Sequence, residues 1–266
     1  GLITGISIGT VTLTATSAGD TNYYSANTSQ LITIGKVTPT LTITSANSLL
    51  VDGTLSATVT STATLGRGGN ITYSIVSGSG SAIVNSTTGL ITGISIGTIT
   101  LTATSAGDTN YYGTSTSQLI TISKTTPTLT ITSANMLLVD SSLTATVTTT
   151  ATFGRGGNIT YSVVAGSGSA TVNPSTGLVT GISIGTVTLT ATSAGDTNYY
   201  SASTSQLITI GKVTPTLTIT SANSLFVDGS LTATVTSTAT LGRGGNITYS
   251  VVAGSGSATV NPSTGL

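Results

Sequence analysis

Apolar and polar residues alternate along most of the chain with a period of two. In Thr128-Leu129-Thr130-Ile131-Thr132 the apolar residues fall on one face and the threonines on the other, and TVTLTAT at 186–192 does the same. Successive side chains of a β-strand point to opposite faces, so this pattern predicts half-buried strands. Good helix formers are scarce and no stripe of period 3.6 is present, so we expect no helices.

The whole pattern returns every 88 residues. GLITGISIGT begins at Gly1 and again at Gly89, and GLVTGISIGT begins at Gly177. Residues 1–88 and 177–264 differ at only ten positions. A period of 88 is too long for a solenoid coil and is close to the ~100 residues of one immunoglobulin-like sandwich. We therefore predict one small domain in tandem copies, and we expect the array to be part of a longer chain.

Each period is predicted to hold seven short strands separated by turns. In the copy that follows Pro39, the turn signals are Asp52-Gly53 and the glycine-containing segments 66–69, 78–80, 88–89 and 107–110. Frequent turns between short alternating segments are typical of antiparallel sandwiches. The fold class is therefore all-β, with tandem immunoglobulin-like antiparallel β-sandwich domains, and the predicted strands are 40–45, 54–60, 70–76, 81–84, 90–95, 97–104 and 115–123.

The segment GKVTP at 35–39 and its copies are predicted to link the domains. Proline lacks an N–H donor and stiffens the chain, which suits a junction. With this phase, 37–124 and 125–212 are whole domains, 1–36 is the C-terminal half of a domain, and 213–266 is the N-terminal half of another. The two halves either continue into further chain or complete each other between chains by strand exchange. The linker residues are Lys36, Pro39, Lys124, Pro127, Lys212 and Pro215.

Composition removes several classes of function. Charged residues make up 5% of the chain, the net charge is zero, and there is no histidine, cysteine or tryptophan. Without a basic run we expect no nucleic-acid partner, and without ~20 consecutive apolar residues we expect no helical membrane span in these residues. Catalysis would have to use Asp, Lys, Tyr, Ser or Thr, and no recognisable pair of these is present. The protein is predicted not to be an enzyme.

The segment GDTNYY contains the candidate binding residues of each repeat. Asp108 and Asn110, with their copies Asp196 and Asn198, are oxygen ligands two residues apart in a glycine-initiated loop, a spacing compatible with calcium. The alternative, which we favour, is that the aspartate accepts backbone N–H bonds and shapes the turn. No other cofactor is expected. Strand alternation further predicts that one of the two following tyrosines points inward and the other outward.

Two stretches resemble bacterial Ig-like domain repeats. STGLVTG at 175–181 followed by GTVTLTAT at 185–192 is similar to the invasin/intimin-type group, and AGDTNYY at 194–200 followed by STS at 203–205 is similar to tandem Ig-like repeats with a GDxNY turn. The repeats are unusually alike and less charged than in typical members of the family. The resemblance implies an extracellular protein of the bacterial cell surface.

The expected function is a structural fibre or surface stalk that associates with itself head to tail, and laterally as a further option. One alternative is an adhesin whose repeats bind a glycan, a protein or calcium, with the surface ligand unknown. The other is a strand-complemented filament subunit.

Overall fold

The computed structural model describes residues 1–64, 68–152, 156–239 and 244–266, and the regular structure in these ranges is β-strand without helix. The chain divides into two compact units. Unit 1 comprises Gly1–Pro127, Ala151–Gly157 and Ala194–Ser201, and unit 2 comprises the rest. The domain limits at 37–124 and 125–212 stay a prediction. The turn predicted at 66–69 lies partly outside the described residues, as do all three arginines.

Unit 1 contains eleven strands in its described part. Two belong to the first 36 residues: β1 Gly9–Ser17 and β2 Ala26–Ile34. Nine follow in the first whole repeat: β3 Leu41–Ile43, β4 Ser48–Leu50, β5 Thr54–Ser56, β6 Val59–Ser61, β7 Ile71–Ser77, β8 Ser81–Val84, β9 Leu90–Ser95, β10 Gly97–Ser105 and β11 Thr114–Ser123.

The nine strands of the first whole repeat form the two layers of an immunoglobulin-like sandwich. One sheet has the order β4-β11-β10-β7, and the other layer consists of β5-β9-β8 with the pair β3-β6. All pairings are antiparallel except that between β4 and β11. This grouping corresponds to the two sheets of the immunoglobulin fold, in which the first and the last strand of the domain lie in different sheets.

Two details differ from the prediction for this repeat. The predicted strand 54–60 is two strands, because β5 pairs with β9 and β6 pairs with β3. Ala57 lies between them, is buried, and donates its N–H to Gly89 O at 2.9 Å. At this small residue the chain thus leaves its pairing with β9 and begins its pairing with β3. The strand β4 was missed because its ladder with β11 spans only three residue pairs.

Unit 2 repeats the arrangement. Its strands are β12 Leu129–Ile131, β13 Met136–Leu138, β14 Ser142–Thr144, β15 Val147–Thr149, β16 Ile159–Ala165, β17 Ser169–Val172, β18 Leu178–Ser183, β19 Gly185–Ser193, β20 Ala202–Gly211, β21 Leu217–Ile219 and β22 Val235–Ser237. The sheet orders β13-β20-β19-β16, β14-β18-β17 and β12-β15 match those of unit 1. The sandwich predicted from the alternation is therefore confirmed.

Each sandwich encloses its own apolar core. In unit 1 the centre is formed by fully buried residues of β9 to β11, such as Ile91, Leu101 and Ile120. In unit 2 the equivalent residues Val179, Leu189 and Ile208 are also fully buried. Burying such a side chain stabilises a fold by roughly 1.5–3 kcal/mol. The alternating threonines of the same strands lie outside these cores.

The two terminal segments contain fewer paired strands than predicted. As halves of a seven-stranded domain, 1–36 and 213–266 would share seven strands, and each holds one described two-stranded sheet, β1-β2 and β21-β22. In the whole repeats, the strands equivalent to 247–253 and 257–260 pair with the two strands that precede the GDTNYY turn. No described strand of unit 2 offers those edges to 213–266.

Candidate functional site at the repeat junction

The GDTNYY turn of the second repeat is closed by the carboxylate of Asp196. Its Oδ1 accepts the backbone N–H groups of Asn198 at 2.7 Å and Tyr199 at 2.9 Å, while its own N–H donates to Tyr199 O at 3.0 Å. Its Oδ2 accepts the N–H of Gly156 at 2.8 Å. This last bond contributes most to holding the pKa of Asp196 below its ordinary value. The turn is thus tied to the neighbouring loop by a charged acceptor.

Gly157 makes the close approach of that loop possible. Its φ is +80°, and a Cβ placed on it would lie 2.3 Å from Gly195 O. Only glycine adopts this conformation without cost and leaves room for the turn. The last glycine of the GRGG sequence, Gly157, is therefore required for the contact between this loop and the turn.

The linker runs along the same turn. Thr125 forms a parallel bridge with Tyr199: its N–H donates to Asn198 O at 3.3 Å and its carbonyl accepts from Tyr200 N at 2.9 Å. Lys124 Nζ donates to Asp196 O at 2.8 Å and lies 5.6 Å from the centroid of the Tyr200 ring. At that distance the ring face attracts the ammonium group. Linker and turn therefore form one small assembly.

Tyr199 connects this assembly to a residue 147 positions earlier. Its ring is 1% exposed, and its hydroxyl donates a hydrogen bond to Asp52 Oδ2. The same hydroxyl accepts the N–H of Thr152 at 3.2 Å, and the Thr152 hydroxyl donates to Asp52 Oδ1 at 2.6 Å. Burial, followed by the bond to Asp52, raises the pKa of the Tyr199 phenol above its ordinary value.

Apolar packing and one further hydrogen bond complete the contact. Tyr199 and Ala151 belong to the same buried cluster as Val51, and Ile96 packs against that cluster. Ile96 N donates to Asn198 Oδ1 at 3.0 Å. Residues of two successive copies of the sequence thus share one core. We call the set Asp52, Ile96, Lys124, Thr152 and 194–200, all within unit 1, the repeat junction.

The copy of the turn at 107–112 makes equivalent contacts one period earlier. Ile8 N donates to Asn110 Oδ1 at 2.9 Å, which is the same separation of 102 residues as between Ile96 and Asn198. Lys36 Nζ donates to Asp108 O at 2.9 Å and lies 5.6 Å from the Tyr112 ring. Asp108 Oδ1 again accepts the N–H groups two and three residues later. These contacts of the junction therefore recur with the period of the sequence.

The predicted calcium ligands belong to this hydrogen-bond network. The carboxylate oxygens of Asp196 each accept backbone N–H groups, and Asn198 Oδ1 accepts from Ile96. Among residues 1–64, 68–152, 156–239 and 244–266, no three acidic, histidine or cysteine residues are grouped as metal ligands. The geometry is that of the turn-shaping alternative, and calcium binding stays a prediction to be tested.

The predicted linker residues lie in different environments. Pro39 and Pro127 are buried and Lys124 is half-buried, whereas Lys36 is exposed. Lys212 is exposed and Pro215 half-buried.

Sequence reasoning missed the partners of the turn. Asp52 was assigned only to a turn, and Ile96 and Thr152 were not singled out. The sequence shows only that this aspartate recurs as Asp52, Asp140 and Asp228, and the structure adds that all three have a positive φ of 60°, 61° and 59°.

The described part of the chain contains no helix long and apolar enough to cross a membrane.

Comparison with known proteins gives one family match. Residues 124–199 match the family model of the bacterial Ig-like domain (group 2). No curated protein matches the chain. The match begins at the linker lysine and ends at the buried tyrosine of the junction. Residues 36–111 have the same residue at most of the corresponding positions.

Several solved structures are similar at low sequence identity. The fibronectin(III)-like modules of Clostridium thermocellum CbhA are 12% identical over 65% of this chain and 95% of theirs, with a TM-score of 0.26. A C-terminal 282-residue fragment of intimin, in complex with the intimin-binding domain of the translocated intimin receptor, is 16% identical over 68% of this chain and 67% of its own, with a TM-score of 0.27. Salmonella alpha-2-macroglobulin is 10% identical over 79% of this chain and 19% of its own, with a TM-score of 0.28.

The family assignment rests on the matched sequence, together with the strand order seen in both whole repeats. The resemblance predicted from the motifs is confirmed for residues 124–199, and this repeat is a bacterial Ig-like domain.

Proposed function

We propose that the protein is a structural stalk or fibre of the bacterial cell surface, in which Ig-like repeats add length and the repeat junction transmits load from one repeat to the next. The observation that carries the proposal is the recurrence of the junction. The bond from Ile8 to Asn110 returns from Ile96 to Asn198, and the lysine contacts with the turn return with it. A flexible spacer has no need to repeat specific side-chain contacts at its joints.

The chemistry of the chain supports a mechanical role. Charged residues are few and balanced, so extending the array adds no net charge and no self-repulsion. The titratable side chains of the junction act as hydrogen-bond partners inside the network, an arrangement that stabilises a contact. A non-enzymatic role is part of the proposal, and the match of residues 124–199 to the bacterial Ig-like domain supports an extracellular one.

Single-molecule force spectroscopy on the 266-residue chain tests this function. If each 88-residue repeat is a separate mechanical element, the two whole repeats unfold in two equal steps. Each step releases about 30 nm, since an extended residue spans at most ~0.36 nm. One step for the whole chain, or extension without discrete steps, contradicts the proposal.

The surface location has its own test. Antibody labelling of intact cells of the producing bacterium is expected to reach the repeats without permeabilisation. Labelling that requires lysed cells contradicts the extracellular assignment.

A further inference from the structure

The motif Asn-Ile-Thr recurs with the period of the sequence, at 70–72, 158–160 and 246–248. It matches the acceptor sequence for a glycan on an asparagine amide. A single match means little in a chain this rich in serine and threonine, so the features that separate this motif from the other matches decide its meaning. Two other matches, at 27–29 and 85–87, are not kept in the later copies.

The second of those two matches is explained by its turn. Asn85 Oδ1 accepts the N–H groups of Thr87 at 3.0 Å and Thr88 at 2.9 Å. In the next copy Asn173 closes the same turn with bonds of 3.0 and 3.1 Å, although Pro174 there breaks the acceptor sequence. The turn thus requires only the asparagine, whose side-chain carbonyl is bonded within the fold.

Asn70 lies in a different setting. It is exposed, as is its copy Asn158, and each directly precedes a strand, β7 or β16, at the edge of a four-stranded sheet. The threonines of the motif, Thr72 and Thr160, are exposed as well. A modifying enzyme therefore finds both the amide and the hydroxyl of the motif at the surface of the sandwich.

The two edge strands give such a glycan a physical use. β7 and β16 contain no charged residue, and each exposes a valine, Val76 by 66% and Val164 by 64%. Natural edge strands are kept from pairing with other chains by charges, bulges or cover. In a chain with so few charges, a bulky and solubilising sugar beside the edge strand provides that protection.

We propose that Asn70 and Asn158 carry a glycan linked through the amide nitrogen. The donor is a sugar whose anomeric carbon bears a diphosphate leaving group, and a transferase of the producing cell catalyses the step. The bond from Nδ2 to the anomeric carbon forms while the bond from that carbon to the diphosphate oxygen breaks. The diphosphate leaves with the bonding electron pair, the amide nitrogen loses one proton, and nothing is oxidised or reduced. The modification goes beyond the stalk function, which holds with or without it.

Glycopeptide mapping of the protein isolated from the producing bacterium tests the proposal. Cleavage after lysine and arginine yields the peptides 68–124 and 156–212, which begin two residues before Asn70 and Asn158. Both peptides are expected to carry the added mass of sugar residues, and fragmentation is expected to place the sugar on these two asparagines. Asn85 in the first peptide is the internal control and is expected to stay unmodified, because its side chain closes a turn.

Two variants of Thr72, expressed in the same bacterium, test the role of the motif. Thr72→Ala keeps Asn70 but destroys the acceptor sequence, and it is expected to lose the sugar at Asn70. Thr72→Ser keeps the acceptor sequence and is expected to retain the sugar. In both variants the sugar on Asn158 is expected to remain, which shows that the chain has met the transferase.

Unmodified Asn70 and Asn158 in the protein from the producing bacterium overturn the proposal. Sugar at Asn70 that survives Thr72→Ala, or sugar attached only to serine and threonine hydroxyls, overturns it as well.

Discussion

Removing the hydroxyl of Tyr199 is the most direct perturbation of the repeat junction. In Tyr199→Phe the ring still fills its site, but Asp52 Oδ2 and the N–H of Thr152 each lose their partner. A hydrogen bond to a charged group contributes about 1.5–3 kcal/mol, and one between neutral groups about 1 kcal/mol. Because Asp52 is only half-buried, water replaces part of the loss. We expect the junction to weaken by about 2 kcal/mol, or roughly 30-fold in its opening equilibrium.

Hydrogen exchange measured by NMR reports this opening at named amides. In the EX2 regime the Thr152 amide is expected to exchange roughly 30-fold faster in Tyr199→Phe, and the amides of Asn198 and Tyr200 are expected to follow, because local opening controls their exchange. Amides in the middle of β10, far from the junction, are expected to keep their rates.

Tyr200→Phe is the control, because that ring is 56% exposed and its hydroxyl has no role in the network described above. Its exchange rates are expected to stay within about twofold of the unmodified chain. Equal exchange in the two variants would refute the assignment of Tyr199 as the residue that joins the repeats.

Three further predictions concern the same network. Asp52→Gly removes the backbone strain of an aspartate with positive φ, but it also removes the acceptor of the Tyr199 and Thr152 hydroxyls. Asp228 has the same backbone conformation, so Asp228→Gly is the control. In urea titrations Asp52→Gly is expected to lower the free energy of unfolding by about 1–2 kcal/mol more than Asp228→Gly. The folded pKa of Tyr199 is raised, so its contribution is present below about pH 10 and lost as pH rises through the folded pKa. The stability difference between Tyr199→Phe and the unmodified chain should therefore be flat up to about pH 9 and vanish in strong alkali. The folded pKa of Asp196 is lowered, so its contribution is present above about pH 4 and lost in both chains as pH falls through the folded pKa. Because the Asp196 oxygens already accept backbone N–H groups, millimolar calcium or a chelator is expected to leave the melting temperature unchanged, and a calcium-dependent rise of several degrees would restore the metal-site interpretation.

The sequence by itself determined the period, the strand faces and the turns of this protein. Alternation in segments such as TVTLTAT specifies a strand with one apolar face, because side chains of a strand alternate between faces. The GDTNYY turn was also predictable, since an aspartate that accepts the N–H groups two and three residues later is a local arrangement. The change of pairing partner at Ala57 could not be predicted from the alternation, because it depends on the sheet edge with which each short strand pairs.

Only the tertiary structure decided which residues meet across the junction. Tyr199 stands in the repeated AGDTNYY sequence, and its ring is 1% exposed because Val51 and Asp52, from the preceding copy, lie against it. Burial is a property of what packs against a residue, and a partner 147 positions away leaves no trace in the local pattern.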